Sequence, residues 1–277
     1  MKKLIILSSL FGGIITTTQG QINTMYNSIY QGQFSNVAMN KLDKKLSVDF
    51  VHMNVNQVGS TNNQSVLSAR GLYKNMNYGI KAASQSYAGI DQMDVQLNVA
   101  RAYQINENSK VAFGVNVSYF KRQMEAANSQ TETDLGIREM LDYDNVYGGF
   151  AAAYSYKDLN VGISSGDLFN TSLDQSASWT LQADFTVDVL DSVIVLKPNV
   201  MAVTGYDLDK PVAMLGLDAI LNQFVTTSMG YYTNESVHLG MGLMYNRFKF
   251  DYRYRYYFSE FRELTTGQNV VGLSYQF

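Results

Sequence analysis

Read at a period of two, the chain divides into stretches of roughly ten residues in which apolar and polar side chains alternate. Residues 248–258 are the clearest. Phe248, Phe250, Tyr252, Tyr254, Tyr256 and Phe258 fall on one face, and Lys249, Asp251, Arg253 and Arg255 on the other. Trp179, Leu181, Ala183, Phe185, Val187 and Val189 alternate in the same way with Thr180, Gln182, Asp184, Thr186 and Asp188. Residues 93–99, 111–119 and 237–245 repeat the pattern, with small and polar side chains dominating one face. Successive side chains of a strand point to opposite faces, so each stretch predicts a strand with one apolar side. In a soluble sandwich the aromatic side would be core. In a closed barrel within a bilayer it faces lipid, and the small polar side fills a crowded, wet interior. A single strand does not choose between the two, but recurrence along the whole chain does.

About fourteen such segments can be counted on this period. They begin near Lys45, Asn63, Met76, Gln92, Ser109, Asn145, Leu159, Ala177, Val193, Pro211, Phe224, Ser236, Phe248 and Gly267. Alternation is blurred in those near Asn63, Val193 and Phe224. Tight turns are expected at 74–77, 107–109, 157–158, 191–192, 222–223 and 246–247, and mostly longer connections between them, notably 124–144, 166–176, 205–210 and 259–266. Short periplasmic turns and longer external loops are the asymmetry of a bacterial outer-membrane barrel, and an even strand count leaves both termini in the periplasm. The predicted fold is therefore all-β: a transmembrane antiparallel up-and-down barrel over residues 45–277.

The N-terminus supports export. Lys2 and Lys3 precede a short apolar run over residues 4–15, followed by small and polar residues ending Thr18-Gln19-Gly20. This is the layout of a signal peptide, predicted to be cleaved after Gly20 so that residues 1–20 are removed. Residues 21–44 are then expected to form an N-terminal periplasmic or plug-like segment. No later stretch of about eighteen apolar residues exists to make a membrane-spanning helix. The 20 tyrosines and 14 phenylalanines suit aromatic girdles at the two interfaces. Loss of Lys2 and Lys3 would leave 19 basic against 24 acidic residues. Such an acidic chain has no electrostatic footprint for nucleic acid.

Candidate chemistry is sparse. Cysteine is absent, which removes disulfides, zinc–thiolate sites and cysteine nucleophiles. Of the two histidines, His52 lies toward the end of the first strand and His238 on the inner face of a late one. Serine is abundant, but a nucleophile needs a base and an orienting group, and no G-x-S-x-G motif occurs. Glu132, Asp134, Glu139, Asp142 and Asp144 cluster in the longest loop without the ordered spacing of a calcium site. Within that loop residues 135–141 could form a helical turn. Lys249, Arg253 and Arg255 are expected to line the lumen and to pair across it with acids such as Asp184 and Asp188. No catalytic, cofactor or metal residue is assigned, and the reading is not that of an enzyme.

Several segments resemble the PorP/SprF proteins, outer-membrane components of the type IX secretion system of Bacteroidetes. Residues 153–168, AYSYKDLNVGISSGDL, look like that family's strand, tight turn and G-[LI]-S-x-x-[DN]-L unit. Asn108-Ser109-Lys110-Val111-Ala112-Phe113-Gly114-Val115 is similar to its K-L-x-F-G-L strand, and Leu196-Lys197-Pro198 to its L-x-P segment. The ending GQNVVGLSYQF resembles its C-terminal G-S-H-E-x-x-L-x-Y-x-F. Gln268-Asn269-Val270 replaces S-H-E there, and Asn36-Val37-Ala38 stands where the family has N-P-A-Y-A-G. The resemblance implies a role in secreting, or holding at the cell surface, a cargo protein with a type IX C-terminal domain, such as an adhesin used in gliding. It implies the secretion machinery as a partner, with membrane lipid and lipopolysaccharide around the barrel. The contrasting reading is a channel, including the fatty-acid-transporter type, for small molecules.

Overall fold

The computed structural model describes residue 38 and residues 46–57, 60–87, 90–124, 143–170, 178–190, 193–204, 211–258 and 265–277. The signal segment, the 135–141 turn and four of the five loop acids (Glu132, Asp134, Glu139 and Asp142) lie outside these residues.

Among the described residues fifteen strands form one antiparallel sheet. They are β1 (Leu46–Gln57), β2 (Ser60–Tyr73), β3 (Met76–Tyr87), β4 (Ile90–Asn106), β5 (Ser109–Met124), β6 (Tyr143–Tyr156), β7 (Leu159–Asn170) and β8 (Trp179–Phe185). Then follow β9 (Val187–Val189), β10 (Ile194–Thr204), β11 (Val212–Leu221), β12 (Val225–Tyr232), β13 (Ser236–Tyr245), β14 (Phe248–Tyr257) and β15 (Thr265–Gln276). β8 and β9 are one stave. Asp184 lies opposite Asn199 and Val187 opposite Leu196, a single register that runs through Thr186. Each stave pairs with its sequence neighbours, and β1 closes on β15. The result is a closed barrel of fourteen staves, which leaves no unpaired edge.

The faces are as the alternation predicts over most of the wall. Outward side chains include Phe113, Val115, Val117, Leu239, Met241, Leu243, Phe248 and Phe250, all exposed to the surroundings of the barrel. Their inward neighbours are small, polar or charged. Rings gather at the end where β1 begins and β15 ends, with Tyr275 4.6 Å from both Phe248 and Phe277. There the Phe277 amide donates to the Leu46 carbonyl at 3.0 Å and ties the end of the chain to the start of β1.

Turn chemistry fixes the same end. Tyr73 faces Met76 across a two-residue turn in which Lys74 and Asn75 take φ values of 47° and 64°. Positive φ at both central positions is the type I′ geometry that matches strand twist. Asn222 and Gln223 repeat it with 50° and 58°. At the opposite end the expected asymmetry is only partly present. β5–β6, β7–β8, β10–β11 and β14–β15 have long connections, but β1 ends at Gln57 with β2 starting at Ser60, and β3 ends at Tyr87 with β4 starting at Ile90. The sequence offers Gly59 and Gly89 in those gaps, the residue type that two-residue hairpins favour. The outer rim is therefore low over β1–β4.

Candidate functional site

The lumen is the one region where polar and charged side chains converge away from lipid. Its wall is tiled by a repeated pairing of a polar residue with a glycine directly opposite on the next strand. Asn98 faces Gly79, Asn199 faces Gly216, His238 faces Gly230 and Asp251 faces Gly272. A methyl group placed on any of these glycines would lie 2.4–2.5 Å from the facing side chain. The polar groups thus lie flat across the sheet instead of projecting to the barrel axis.

Charges on the wall are matched locally. Arg70 Nη2 donates to Asp49 Oδ2 at 2.7 Å, and Ser274 Oγ donates to Asp49 Oδ1 at 2.6 Å. Lys81 meets Asp94 at 3.0 Å and Lys249 meets Asp251 at 3.1 Å. The pairing expected between Lys249 and Asp184 or Asp188 is not formed. Lys249 pairs along its own strand, because residues two apart share a face, and Asp184 accepts from Asn160 Nδ2 at 2.5 Å. Asp188 is exposed. Each of these three ion pairs is neutralised at contact range.

The densest polar cluster stands on the inner wall near the outer mouth. Arg255, 2% exposed, donates from Nε to Ser236 Oγ at 2.8 Å and from Nη2 to Asn234 Oδ1 at 3.0 Å. Its guanidinium lies 3.8 Å from the centre of the Tyr232 ring and 5.0 Å from that of Tyr257. Tyr232, fully buried, shares a 2.9 Å hydrogen bond with His238 Nδ1. Met201, Val203, Val212 and Met214 pack with Tyr232 into an apolar patch at the same level. Sequence reasoning placed Arg255 and His238 inward but missed Tyr232, Tyr257, Asn234 and Ser236. The available signal was paired aromatics, Tyr231-Tyr232 and Tyr256-Tyr257, where strict alternation allows one.

Two further inner patches are apolar. Ala38 packs on Ala100, Ala112 and Ala151, which face inward on β4, β5 and β6. Val51, Met53, Val66, Ala83 and Val270 form the other on β15, β1, β2 and β3. Val270, which replaces the family's acidic residue, is thus packed against apolar neighbours rather than set in a polar row.

His52 lies on the outer face, its Nδ1 3.0 Å from Ser65 Oγ, and Asn54 Nδ2 donates to Asn63 Oδ1 at 2.7 Å on the same face. Asp144, the described member of the loop acids, is exposed and accepts from the Tyr119 hydroxyl at 3.0 Å. Among the described residues no group of three or more His, Asp or Glu side chains could hold a metal ion.

The sequence matches the family model of the type IX secretion system membrane protein PorP/SprF over residues 34–275, nearly the whole barrel. The chain belongs to the PorP/SprF family. PorP/SprF membership and the closed barrel together place it in the outer membrane as a membrane component of type IX secretion. Among solved structures it is similar to the outer membrane protein Omp33 of Acinetobacter baumannii, with a TM-score of 0.54 and 7% identity over 86% of this chain and 100% of that one. The toluene transporter TodX of Pseudomonas putida matches with a TM-score of 0.50 and 12% identity over 94% and 93%. A monoaromatic hydrocarbon channel, CymD, gives 0.53 and 11% over 89% and 92%. At such identities these likenesses speak for the barrel fold alone. No curated protein sequence matches the chain.

Proposed function

We propose that this PorP/SprF barrel serves a secreted cargo protein at the outer membrane, assisting its export or holding it at the cell surface through a type IX C-terminal domain. The family match over residues 34–275 carries the reading. The lumen supports it: Asp49, Asp94 and Asp251 are paired with bases on the wall, and apolar residues with Tyr232 crowd the inner face near the outer mouth. A wall of that kind suits an interaction protein better than an ion-selective pore. Ala38, the described residue of the 21–44 segment, packs on Ala100, Ala112 and Ala151 of the inner wall, which supports a plug-like role for that segment. Machinery partners approach from the periplasm and the cargo domain from outside.

The test is deletion of the gene followed by proteomics of the cell surface and the medium. Loss of one or more surface-held proteins with unchanged permeability to small solutes supports the reading. An unchanged surface proteome with altered uptake of a small solute overturns it. A second reading, a channel for apolar small molecules, draws on the two apolar inner patches around Met201 and Met53. Uptake of a monoaromatic probe by vesicles holding the pure protein would favour it.

A further inference from the structure

On most of the wall the outward residues are apolar from one interface to the other. β13 presents Val237, Leu239, Met241, Leu243 and Tyr245, and β5 presents Val111, Phe113, Val115, Val117 and Tyr119. Two residues along a tilted strand rise about 5 Å, so five such rows make the ~25 Å apolar band that a bilayer needs. β1 presents three, Leu46, Val48 and Phe50, and then His52 and Asn54. Its neighbours turn polar at the same end, with Asn63 and Ser65 on β2, Ser84 and Ser86 on β3 and Asn269 on β15. Behind them Val51, Met53, Val66, Ala83 and Val270 form an apolar inner patch, bordered by the inward polar Asn62, Gln64, Gln85 and Gln268. The outward polar residues span four adjoining staves, so this is a built feature and not a stray substitution.

We propose that this outer-leaflet half of the β15–β1–β2–β3 wall is a contact surface for a second copy of the same chain. His52 with Ser65, Asn54 with Asn63 and Tyr252 with Asn269 are hydrogen-bonded across the sheet, and the amides keep donors and acceptors to spare that a polar partner surface meets and hydrocarbon does not. Anionic lipid is a poor occupant. Among the described outward residues here there is no Lys or Arg to meet a phosphate, and Asp91 borders the patch opposite Ser86. Asn and Ser each donate and accept, so a neutral surface made of them complements itself across a two-fold axis, as a closed dimer requires. The barrel has no free edge, which leaves wall-to-wall contact as the route to association. The low rim over β1–β4 leaves room for it, since the strand bounds admit two residues each between β1 and β2 and between β3 and β4. The apolar rows beneath, Phe50, Leu67, Ile80 and Leu273, continue the contact toward the periplasm.

The chain has no cysteine, so a single introduced thiol reports its own contacts. Asn63→Cys, Ser65→Cys and, on β5 away from the patch, the lipid-facing Val115→Cys are each to be oxidised in native outer membranes. Heat-modifiable migration serves as the check on folding. The expected result is a disulfide-linked species of twice the monomer mass for Asn63→Cys and Ser65→Cys, several-fold more abundant than for Val115→Cys. On the cysteine-free background, Asn54→Leu with Asn63→Leu should shift the detergent-extracted protein to the monomer mass while heat modifiability is kept. Equal cross-linking at all three positions, no cross-linking, or an adduct with a different protein would overturn the proposal.

Discussion

Replacing Gly216 by alanine tests whether the lumen wall is built from paired polar and glycine positions. The new methyl would sit 2.4 Å from Asn199 Oδ1, about 1 Å inside ordinary contact, which begins at 3.4 Å. Asn199 can relieve this only by rotating. It then gives up the Nδ2 hydrogen bonds to the Lys197 carbonyl at 3.2 Å and to Asp218 Oδ2 at 3.3 Å. Neutral hydrogen bonds are worth about 0.5–1.5 kcal/mol and those to a charged group somewhat more, so two long ones sum to about 2 kcal/mol. Rigidifying a glycine position offsets a few tenths of that through the unfolded chain. With Asn199 first cut back to alanine, the three atoms nearest the new methyl are gone and Gly216→Ala should be nearly neutral. The double-mutant cycle should therefore return a coupling of about 1.5 kcal/mol or more. Unfolding by urea in lipid vesicles, followed by the fluorescence of the lone Trp179, supplies the four stabilities. Additive costs, or a neutral Gly216→Ala in the native background, would refute the reasoning.

Met241 is the middle outward residue of β13 and 68% exposed, so Met241→Arg is expected to cost about 2–4 kcal/mol while Tyr245→Arg at the interface costs about 0–1. Equal costs in vesicle unfolding would show that the band is misplaced. Arg255→Lys should lose about 2 kcal/mol, because a lysine cannot reproduce the fork to Ser236 and Asn234 or the stacking on Tyr232; thermal melting in detergent is the measurement. Removing Phe277 deletes its amide bond to Leu46 and its ring contact with Tyr275, and should slow barrel assembly in a pulse-chase assay with little change in the final fold.

Most of the architecture was legible because lipid imposes one rule on every stave. The strand starts expected at Met76, Ser109, Leu159, Ser236 and Phe248 coincide with the observed ones. The inner positions of Lys249, Asp251 and Arg255 followed from parity alone. What parity does not carry is the partner of each inner group. Asp184 was expected to meet a base across the lumen and instead meets Asn160 on the adjacent strand. Cross-strand register brings Asn160 and Asp184 face to face, and register depends on turn geometry and stagger that a period of two does not encode. The Arg255 cluster was hidden for a related reason. Asn234 enters from the β12–β13 turn, and a turn residue belongs to neither face of the alternation.

The blurred segment near Asn63 has a different cause. Apolar-out alternation presumes that the outer solvent is hydrocarbon at every depth of every stave. At Ser65, Asn63 and Ser84 the outward residues are polar, while Val66 and Ala83 between them point inward and are buried. Asn62 and Gln64 on the inner side are polar as well, so a search for apolar outward rows finds no alternation where a strand stands. A polar outward surface that joins β15 to the consecutive β1, β2 and β3 fits a change in what lies outside the wall, because β15 is remote from them in sequence and shares no local cause. The same reasoning locates the lipid boundary on the flanking staves. Tyr254 and Tyr256 on β14 and Met93 and Val95 on β4 keep the ordinary sign, so the altered surroundings are bounded on both sides and are about four strand spacings wide, or roughly 19 Å.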